Sequence, residues 1–226
     1  MRILSIETTT RIGSIALLEN EDILAEVQIC DNLRHSEGLF EGIEKMLDSA
    51  GLNIKDLEAI AVSAGPGSYT GIRVGMALAK GMAFSLGIPV QAVSSLAVLA
   101  LQAGSCKNAL FPIISAEGPE IYGALFSYKD CLERKSEDRV FIVDEIKQYL
   151  YAKTRILGPG IERQGQSLKE LSVDEWIIDV EPMYPKASFA GRLAFKTIEG
   201  YSLDLKEIQP HYVKPIQLKW HNRGGK

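Results

Sequence analysis

A glycine-rich stretch between Ala64 and Gly75 has the composition of an anion-binding loop. It reads AGPGSYTGIRVG, follows the apolar run Ala59 to Ser63, and precedes a helical pattern from about Gly71 to Phe84. Glycines allow a ligand or another chain to approach the backbone closely, and the N–H groups at a helix start attract phosphate or carboxylate. The stretch predicts either a phosphate site or a tight strand–helix connection. Its candidate phosphate-binding residues are Gly65, Gly67, Ser68 and Thr70.

Two common nucleotide-binding motifs are excluded by the spacing of these glycines. The loop does not fit the dinucleotide fingerprint, and no Lys-Ser or Lys-Thr pair follows it as the Walker pattern requires. The hydroxyls of Ser68 and Thr70 are also suited to cap the first turn of the helix.

An acid and three hydroxyls follow the first predicted strand, Ile3 to Ile6, in the sequence Glu7-Thr8-Thr9-Thr10. A carboxylate at a strand end can hold a hydrated magnesium ion, and nearby hydroxyls can reach phosphate oxygens. The same residues are also typical of an ordinary polar hairpin turn. Without further context, this turn is the favoured interpretation. Glu7, Thr8 and Thr9 therefore join the candidate nucleotide-binding residues.

No catalytic residue and no metal site are predicted. His35 is the only candidate metal ligand near a helix start, and the position one turn later is Leu39. Cys30, Cys106 and Cys131 are far apart, which indicates reduced thiols rather than a disulfide framework or a zinc site. No serine or cysteine lies in a recognisable nucleophile motif.

The composition is that of a soluble globular protein, with 46% apolar residues and a net charge of −4 over 226 residues. This charge argues against nucleic-acid binding by the whole chain. Glu7 interrupts the first apolar run too early for a signal peptide, and Gly87 and Pro89 interrupt the uncharged segment Gly81–Cys106. We expect a cytoplasmic protein that does not span a membrane.

The predicted elements form an α/β protein with mixed sheets flanked by helices. Three strands joined by short polar turns predict an antiparallel meander, which is followed by alternating helices and strands. The amphipathic helix after His35 carries apolar residues at helical spacing, and the helix after Gly71 has a face of small residues that lets another helix come close. We place the division between two lobes near residue 105, giving lobes 1–105 and 106–226.

The end of the chain is basic. Lys214, Lys219, Arg223 and Lys226 follow Pro210 with no acid among them, and Tyr212 and Trp220 lie beside them. Such a tail could contact RNA phosphates and stack on a base, although a solvated end is the favoured interpretation.

Several of these segments together resemble the TsaB (YeaZ-like) family. They are Ile3-Leu4-Ser5-Ile6-Glu7-Thr8-Thr9, His35-Ser36-Glu37, the glycine loop Gly65–Gly75, Ser95-Leu96 and Pro210–Lys214. The resemblance implies an actin/Hsp70/sugar-kinase-like fold of two lobes, in which the Glu7 turn is a remnant phosphate loop. It also implies a non-catalytic subunit of the machinery that makes N6-threonylcarbamoyladenosine at position 37 of tRNA.

The resemblance further implies a set of partners. They are a TsaD-type catalytic subunit, a TsaE-type ATPase, tRNA reached through the complex, and a second copy when the chain is alone. No intrinsic cofactor is implied, but ATP or ADP with magnesium at the partner interface is possible. We expect the two helices to present small and apolar residues to the partner, so that Gly75→Arg or Met76→Asp abolishes binding without unfolding. The predicted interface is His35, Leu39, Ile43, Met46, Ile72, Gly75, Met76, Ala79 and Ala83.

Two alternative functions remain open from the sequence. An ATP-dependent phosphotransferase or ATPase of the same fold would use Glu7 with magnesium and the glycine loop around phosphates. An M22-type metalloprotease, the activity in an older label of this family, would require a bound metal. Catalytic relatives have a His-x-x-x-His motif where this chain has His35 and Leu39, which favours the non-catalytic subunit.

Overall fold

The computed structural model describes residues 1–29, 36–172, 176–198 and 204–214, which form two β-sheets flanked by helices. The strands are β1 Arg2–Glu7, β2 Gly13–Glu19, β3 Asp22–Ile29, β4 Ala59–Gly65, β5 Val90–Ser94, β6 Cys106–Ser115, β7 Glu120–Gly123, β8 Phe126–Tyr128, β9 Leu132–Arg134, β10 Arg139–Ile142, β11 Arg155–Leu157 and β12 Ile177–Ile178. The α-helices are α1 Ser36–Ser49, α2 Tyr69–Leu86, α3 Ser95–Gln102, α4 Ile161–Ser172 and α5 Ala187–Ile198.

The first sheet has the strand order β3-β2-β1-β4-β5. The strands β1, β2 and β3 form an antiparallel meander, while β4 pairs in parallel with β1 and β5 pairs in parallel with β4. The predicted mixed sheet is therefore confirmed. Because helices cover both of its faces, β1 and β4 are apolar on both sides and almost completely buried.

Helices α1 and α2 pack on one face of this sheet. Their buried side chains join Leu4, Ile6 and Ile60 in one apolar cluster. Helix α2 begins at Tyr69, two residues before the predicted start, because Ser68 Oγ accepts a hydrogen bond from the Gly71 N–H and caps it. It ends at Leu86 and is capped by Gly87, whose φ of 67° is the left-handed conformation that favours glycine.

The second sheet is built around the long strand β6 and has the order β10-β7-β6-β11-β12. The apolar stretch 121–128 could form one continuous strand, but it is divided between β7 and β8. Strand β7 pairs with the end of β6, whereas β8 pairs nearer its beginning and then forms a hairpin with β9. The stretch forms two short strands because each one pairs with a different part of β6.

Helix α5 returns from the second half of the chain to the first sheet. Its small residues Ala187, Ala190 and Ala194 pack against Ile3 and Leu18 on the face opposite α1 and α2. Two polar contacts fix its start. The Ala187 N–H donates to Ser14 Oγ over 2.7 Å, and Ser188 donates to Glu26. The strands of the first sheet all come from residues 2–94, but one of its faces is covered by α5, which comes from the second half of the chain.

Asp138 connects the two lobes. Its carboxylate accepts hydrogen bonds from Ser94 Oγ at the end of β5 (2.8 Å) and from Arg134, and it lies 3.3 Å from His211 Nε2. His211 in turn donates its backbone N–H to the Ala64 carbonyl at the end of β4 over 2.8 Å. One carboxylate thus links both lobes and the segment 204–214.

We predict that Asp138→Asn weakens this connection. Burial by itself raises the pKa of Asp138, but hydrogen bonds from His211, Arg134 and Ser94 outweigh that effect and lower it below 3.8. A depressed folded-state pKa confers stability above the ordinary aspartate pKa, and that stability is lost as pH falls through the folded-state value. The variant should lose about 1–3 kcal/mol of unfolding free energy at pH 7 and less at acidic pH.

Urea unfolding between pH 3 and pH 7 measures this difference, with the exposed Asp130→Asn as the control. A difference between wild type and Asp138→Asn that does not change with pH would contradict the role given to the carboxylate.

Candidate functional site

The turn after β1 lies directly on the glycine face of α2. A Cβ atom added at Gly67 would lie 2.2 Å from the Thr9 carbonyl oxygen, and one at Gly71 would lie 1.9 Å from the Thr8 carbonyl oxygen. A Cβ atom at Gly75 would lie 2.3 Å from Thr8 Oγ1. These separations are far shorter than any real Cβ contact. The glycines are therefore required by a contact within the chain.

Hydrogen bonds across this contact use the polar groups predicted to bind phosphate. Thr8 Oγ1 donates to the Gly71 carbonyl over 2.7 Å, and the Ser68 N–H donates to the Thr9 carbonyl over 2.6 Å. Thr9 donates both its N–H and its hydroxyl to Glu7 Oε1, at 2.6 and 2.5 Å. The structure therefore brings the predicted residues together, but their polar groups form hydrogen bonds with other groups of the same chain.

Glu7 is completely buried. Burial raises the pKa of its carboxyl above 4.5, and the neighbouring Ser63 hydroxyl together with the hydrogen bonds from Thr9 offsets only part of that rise. Its Oε2 atom has no hydrogen-bond partner among the described residues. A hydrated magnesium ion needs a carboxylate that water can reach, so Glu7 in this position does not fit the predicted cation site.

The other two predicted loop residues differ in exposure. Gly65 is buried, and a Cβ atom there would lie 2.9 Å from the His211 carbonyl oxygen, so the segment 204–214 occupies the space beside it. Thr70 is exposed on the first turn of α2. Gly65 is thus part of the internal packing, and Thr70 remains open to solvent.

A cleft of about 460 Å³ separates the turn after β1 from the second lobe. Arg11 reaches across it, donating from Nη2 to Glu162 Oε1 over 2.8 Å and to the Tyr184 hydroxyl over 2.7 Å. The Tyr184 hydroxyl also donates to Glu162 over 2.5 Å. The positive charge of Arg11 is therefore offset by a carboxylate of this chain.

The second glycine turn, Gly158-Pro159-Gly160, packs closely against β6. The Gly160 N–H donates to the Ile113 carbonyl over 3.1 Å, and a Cβ atom at Gly158 would lie 2.5 Å from the same oxygen. This segment is therefore a structural turn held against β6 by close backbone contacts.

Residues 210–214 of the predicted basic tail pack against the glycine loop. The Tyr212 ring lies 5.3 Å from the Tyr69 ring, and Arg73 donates from Nε to the Tyr212 hydroxyl over 3.2 Å. Lys214 forms an ion pair with Glu120 at 2.5 Å. Lys219, Trp220, Arg223 and Lys226 lie outside the described residues.

The predicted interface residues pack inside the chain itself. All eight of them that lie in described ranges are buried in the chain's own core, and His35 lies outside those ranges. Sequence periodicity identifies the apolar face of a helix but not whether that face meets the same chain or a partner. The eight are Leu39, Ile43, Met46, Ile72, Gly75, Met76, Ala79 and Ala83.

The opposite face of α2 is open instead. Arg73, Ala77, Gly81 and Phe84 are exposed at helical spacing, and Phe84 is 82% exposed. No heavy atom would lie within 4 Å of a Cβ atom added at Gly81. In the sequence, this face is marked by Phe84 standing among small residues. Sequence analysis missed it because it relied on the other stripe of small residues, which includes Gly75 and Ala79.

Over residues 1–29, 36–172, 176–198 and 204–214, no group of three or more histidine, cysteine and acidic side chains is arranged to hold a metal ion. Within the same ranges, no helix has the length and apolar character needed to cross a membrane.

Comparisons with known proteins identify relatives over the full length of the chain. The family model described as TsaD, tRNA N6-adenosine threonylcarbamoyltransferase, matches residues 27–197. The tRNA threonylcarbamoyladenosine biosynthesis protein TsaB of Bacillus subtilis is 31% identical, covering 97% of this chain and 98% of the relative. Its namesake in Escherichia coli is 27% identical, covering 100% of both.

A solved structure shows the fold. YeaZ from Pseudomonas aeruginosa superposes with a TM-score of 0.78 at 24% identity, covering 93% of this chain and 99% of that protein. The predicted α/β fold, with mixed sheets flanked by helices, is confirmed.

We predict opposite effects for alanine at two glycines of α2. Gly75→Ala should lower the free energy of unfolding by about 1–3 kcal/mol, because its Cβ atom meets Thr8. Gly81→Ala, the matched control on the open face, should raise it by about 0.5–1 kcal/mol, because alanine favours the helix. Urea unfolding measures both, and equal effects would contradict the internal contact.

We also predict that Glu7→Gln changes the pH dependence of stability. A carboxyl whose folded-state pKa is raised confers stability below its unfolded pKa, and that stability is lost as pH rises through the folded-state value. Relative to wild type, the variant should gain stability from about pH 4.5 upward. Urea unfolding from pH 4 to pH 8 tests this, and a constant difference would show that Glu7 does not titrate as described.

Proposed function

The chain belongs to the TsaB family of tRNA threonylcarbamoyladenosine biosynthesis proteins, and on that premise we propose that it is a non-catalytic subunit of this machinery. Its role is to bind and support a TsaD-type catalytic subunit. The chain contributes a docking surface to the complex, while the partner carries out the transfer to adenosine 37 of tRNA.

One observation carries the non-catalytic assignment. The groups that a phosphate-handling enzyme of this fold would offer to its substrate are used within the chain. Thr8 and Thr9 bond to Gly71 and Glu7, and Glu7 is sealed from solvent. Such a site cannot bind a hydrated cation without breaking the contact on which α2 rests.

The exposed face of α2 is the docking surface that we propose. A large exposed aromatic side chain is costly in water and is typical of an interface anchor. Phe84 projects from a face otherwise formed by Ala77 and Gly81, so a partner helix can approach the backbone of α2 closely. Arg73, which lies over the Tyr69 ring at 4.4 Å, adds a cation at the other end.

The proposal includes further partners of the complex. A TsaE-type ATPase joins the complex, ATP or ADP with magnesium binds at the partner interface, and tRNA is reached through the catalytic subunit. The complex acts in the cytoplasm, and the chain forms a homodimer when it is alone.

Both alternative functions have less support. A phosphotransferase needs an accessible acid, and Glu7 is buried. A metalloprotease needs a cluster of ligands, and the described ranges contain none.

We predict that Phe84→Asp weakens binding to the TsaD-type protein of the same organism by about 30-fold or more, which is the effect of losing one interface anchor. The matched control is Val180→Asp, since Val180 is 83% exposed on the second lobe. Calorimetric titration of the partner measures both affinities, and melting curves confirm that both variants are folded. Equal affinities for Phe84→Asp and wild type would contradict the proposed surface.

A further inference from the structure

Helix α2 carries two positive charges and no negative one. Its sequence, YTGIRVGMALAKGMAFSL, contains Arg73 and Lys80 but neither aspartate nor glutamate. Arg73 is exposed and Lys80 is half-buried. Among the residues that the structure describes, no carboxylate forms an ion pair with either of them. In a chain of net charge −4, a helix with two cations and no counter-charge is suited to bind an anionic group.

The two cations lie on one line with Phe84. An α-helix has about 3.6 residues per turn and rises about 1.5 Å per residue. Lys80 therefore follows Arg73 by about two turns, or about 10 Å along the axis, and Phe84 follows Arg73 by about three turns. Ala77 lies beside this line between the two cations. The line joins two positive charges to the exposed aromatic side chain of the proposed docking face.

The guanidinium of Arg73 is held in place by two tyrosines. Its Cζ atom lies 4.4 Å above the centre of the Tyr69 ring, and its Nε atom donates a hydrogen bond to the Tyr212 hydroxyl over 3.2 Å. The two rings lie 5.3 Å apart. No described residue accepts a hydrogen bond from Nη1 or Nη2 of Arg73. These two nitrogens form the planar fork that binds a carboxylate through two parallel hydrogen bonds.

Tyr212 is itself fixed by its chain neighbours. The His211 N–H donates to the Ala64 carbonyl over 2.8 Å, and Lys214 pairs with Glu120 on the second lobe. Because Tyr212 lies between these two anchors, its hydroxyl has a defined position beside Arg73. Ordering a long side chain before binding reduces the entropy that binding costs.

We propose that the TsaD-type partner covers this face with an acidic helix. One carboxylate of that helix binds the fork of Arg73, and a second carboxylate about two turns away lies near Lys80. The inference rests on the proposed docking face around Phe84 and adds the charge and spacing of the partner surface. Ala77 and the exposed Gly81 leave room for the two helices to approach closely.

A phosphate of RNA could also bind a guanidinium, but this face is better suited to a protein. Surfaces that bind the phosphate backbone group several lysines and arginines together. Here Arg73 and Lys80 are separated by two turns, and the side chains between and beyond them on the line are Ala77 and Phe84. An apolar surface with one cation on each side of Ala77 matches an amphipathic acidic helix.

Charge reversal tests the acidic partner. Calorimetric titration with the TsaD-type protein should show at least about tenfold weaker binding for Arg73→Glu and at least about threefold weaker binding for Lys80→Glu. The matched control is Lys196→Glu, which makes the same change of charge at an exposed position of α5, on the opposite face of the first sheet. The control should bind within about twofold of wild type. Melting curves confirm that all three variants are folded, and wild-type affinity for Arg73→Glu would overturn the proposal.

Salt dependence gives a second measurement of the same pairs. Raising the salt concentration from about 50 mM to about 500 mM should weaken wild-type binding, because salt screens ion pairs between exposed charges. The variant with both Arg73→Gln and Lys80→Gln should lose less affinity over this range. An equal loss for wild type and this variant would overturn the ion pairs.

A double-mutant cycle tests the positioning role of Tyr212. Tyr212→Phe keeps the ring and removes the hydroxyl, so it should weaken partner binding about threefold or more in the wild-type background. In an Arg73→Ala background it should have no further effect, because the group that it positions is absent. Tyr151→Phe, at a tyrosine that is 68% exposed, is the control and should change neither affinity. Equal losses in both backgrounds would overturn the positioning role.

Phe84→Asp separates this inference from the proposed function. Loss of partner binding in Phe84→Asp but not in Arg73→Glu or Lys80→Glu would leave the docking face in place and overturn the acidic partner. Wild-type affinity in all three variants would contradict the docking face and the acidic partner together. Titration with a single-stranded RNA oligonucleotide identifies the other source of anions. Weaker RNA binding by Arg73→Glu, together with unchanged partner affinity, would assign Arg73 to RNA phosphate and overturn the proposal.

Discussion

The contact between the turn after β1 and the glycine face of α2 determines the arrangement of the first lobe. Thr8 and Thr9 approach Gly67, Gly71 and Gly75 so closely that no side chain fits between them. This contact sets the position of α2 against β1 and the course of the loop from β4. It also requires Glu7 to lie inside, where Thr9 bonds to its carboxylate. The contact that positions α2 thus uses the polar groups of Thr8 and Thr9 within the chain.

Contacts between the lobes strengthen this arrangement. Arg11 bridges to Glu162 and Tyr184, and Asp138 connects Ser94 with Arg134 and His211. Each link pairs a charge of this chain with an opposite charge of the same chain. The exposed face of α2 around Phe84 lies outside the cleft.

Local sequence patterns predicted the meander, the mixed sheet and the helix after Ser68, because strand alternation, turns and caps depend on near neighbours. They could not assign the small-residue face of α2, since the segment that occupies it lies about sixty residues earlier and is joined to it only in the fold. The same limit applies to α5, whose alanines pack on strands from the opposite end of the chain. It also applies to Glu7, because burial of a carboxylate depends on everything that surrounds it.

The most direct test is a titration of the isolated chain with ATP and magnesium, followed through its backbone amide resonances. If the glycine face is used by the turn after β1, the amides of Thr8, Thr9, Ser68 and Gly71 should show no saturable shift up to millimolar nucleotide. A saturable shift of these amides at micromolar ATP would mean that the turn leaves the glycine face to admit a phosphate. That result would contradict an internal, non-catalytic role for the glycine loop.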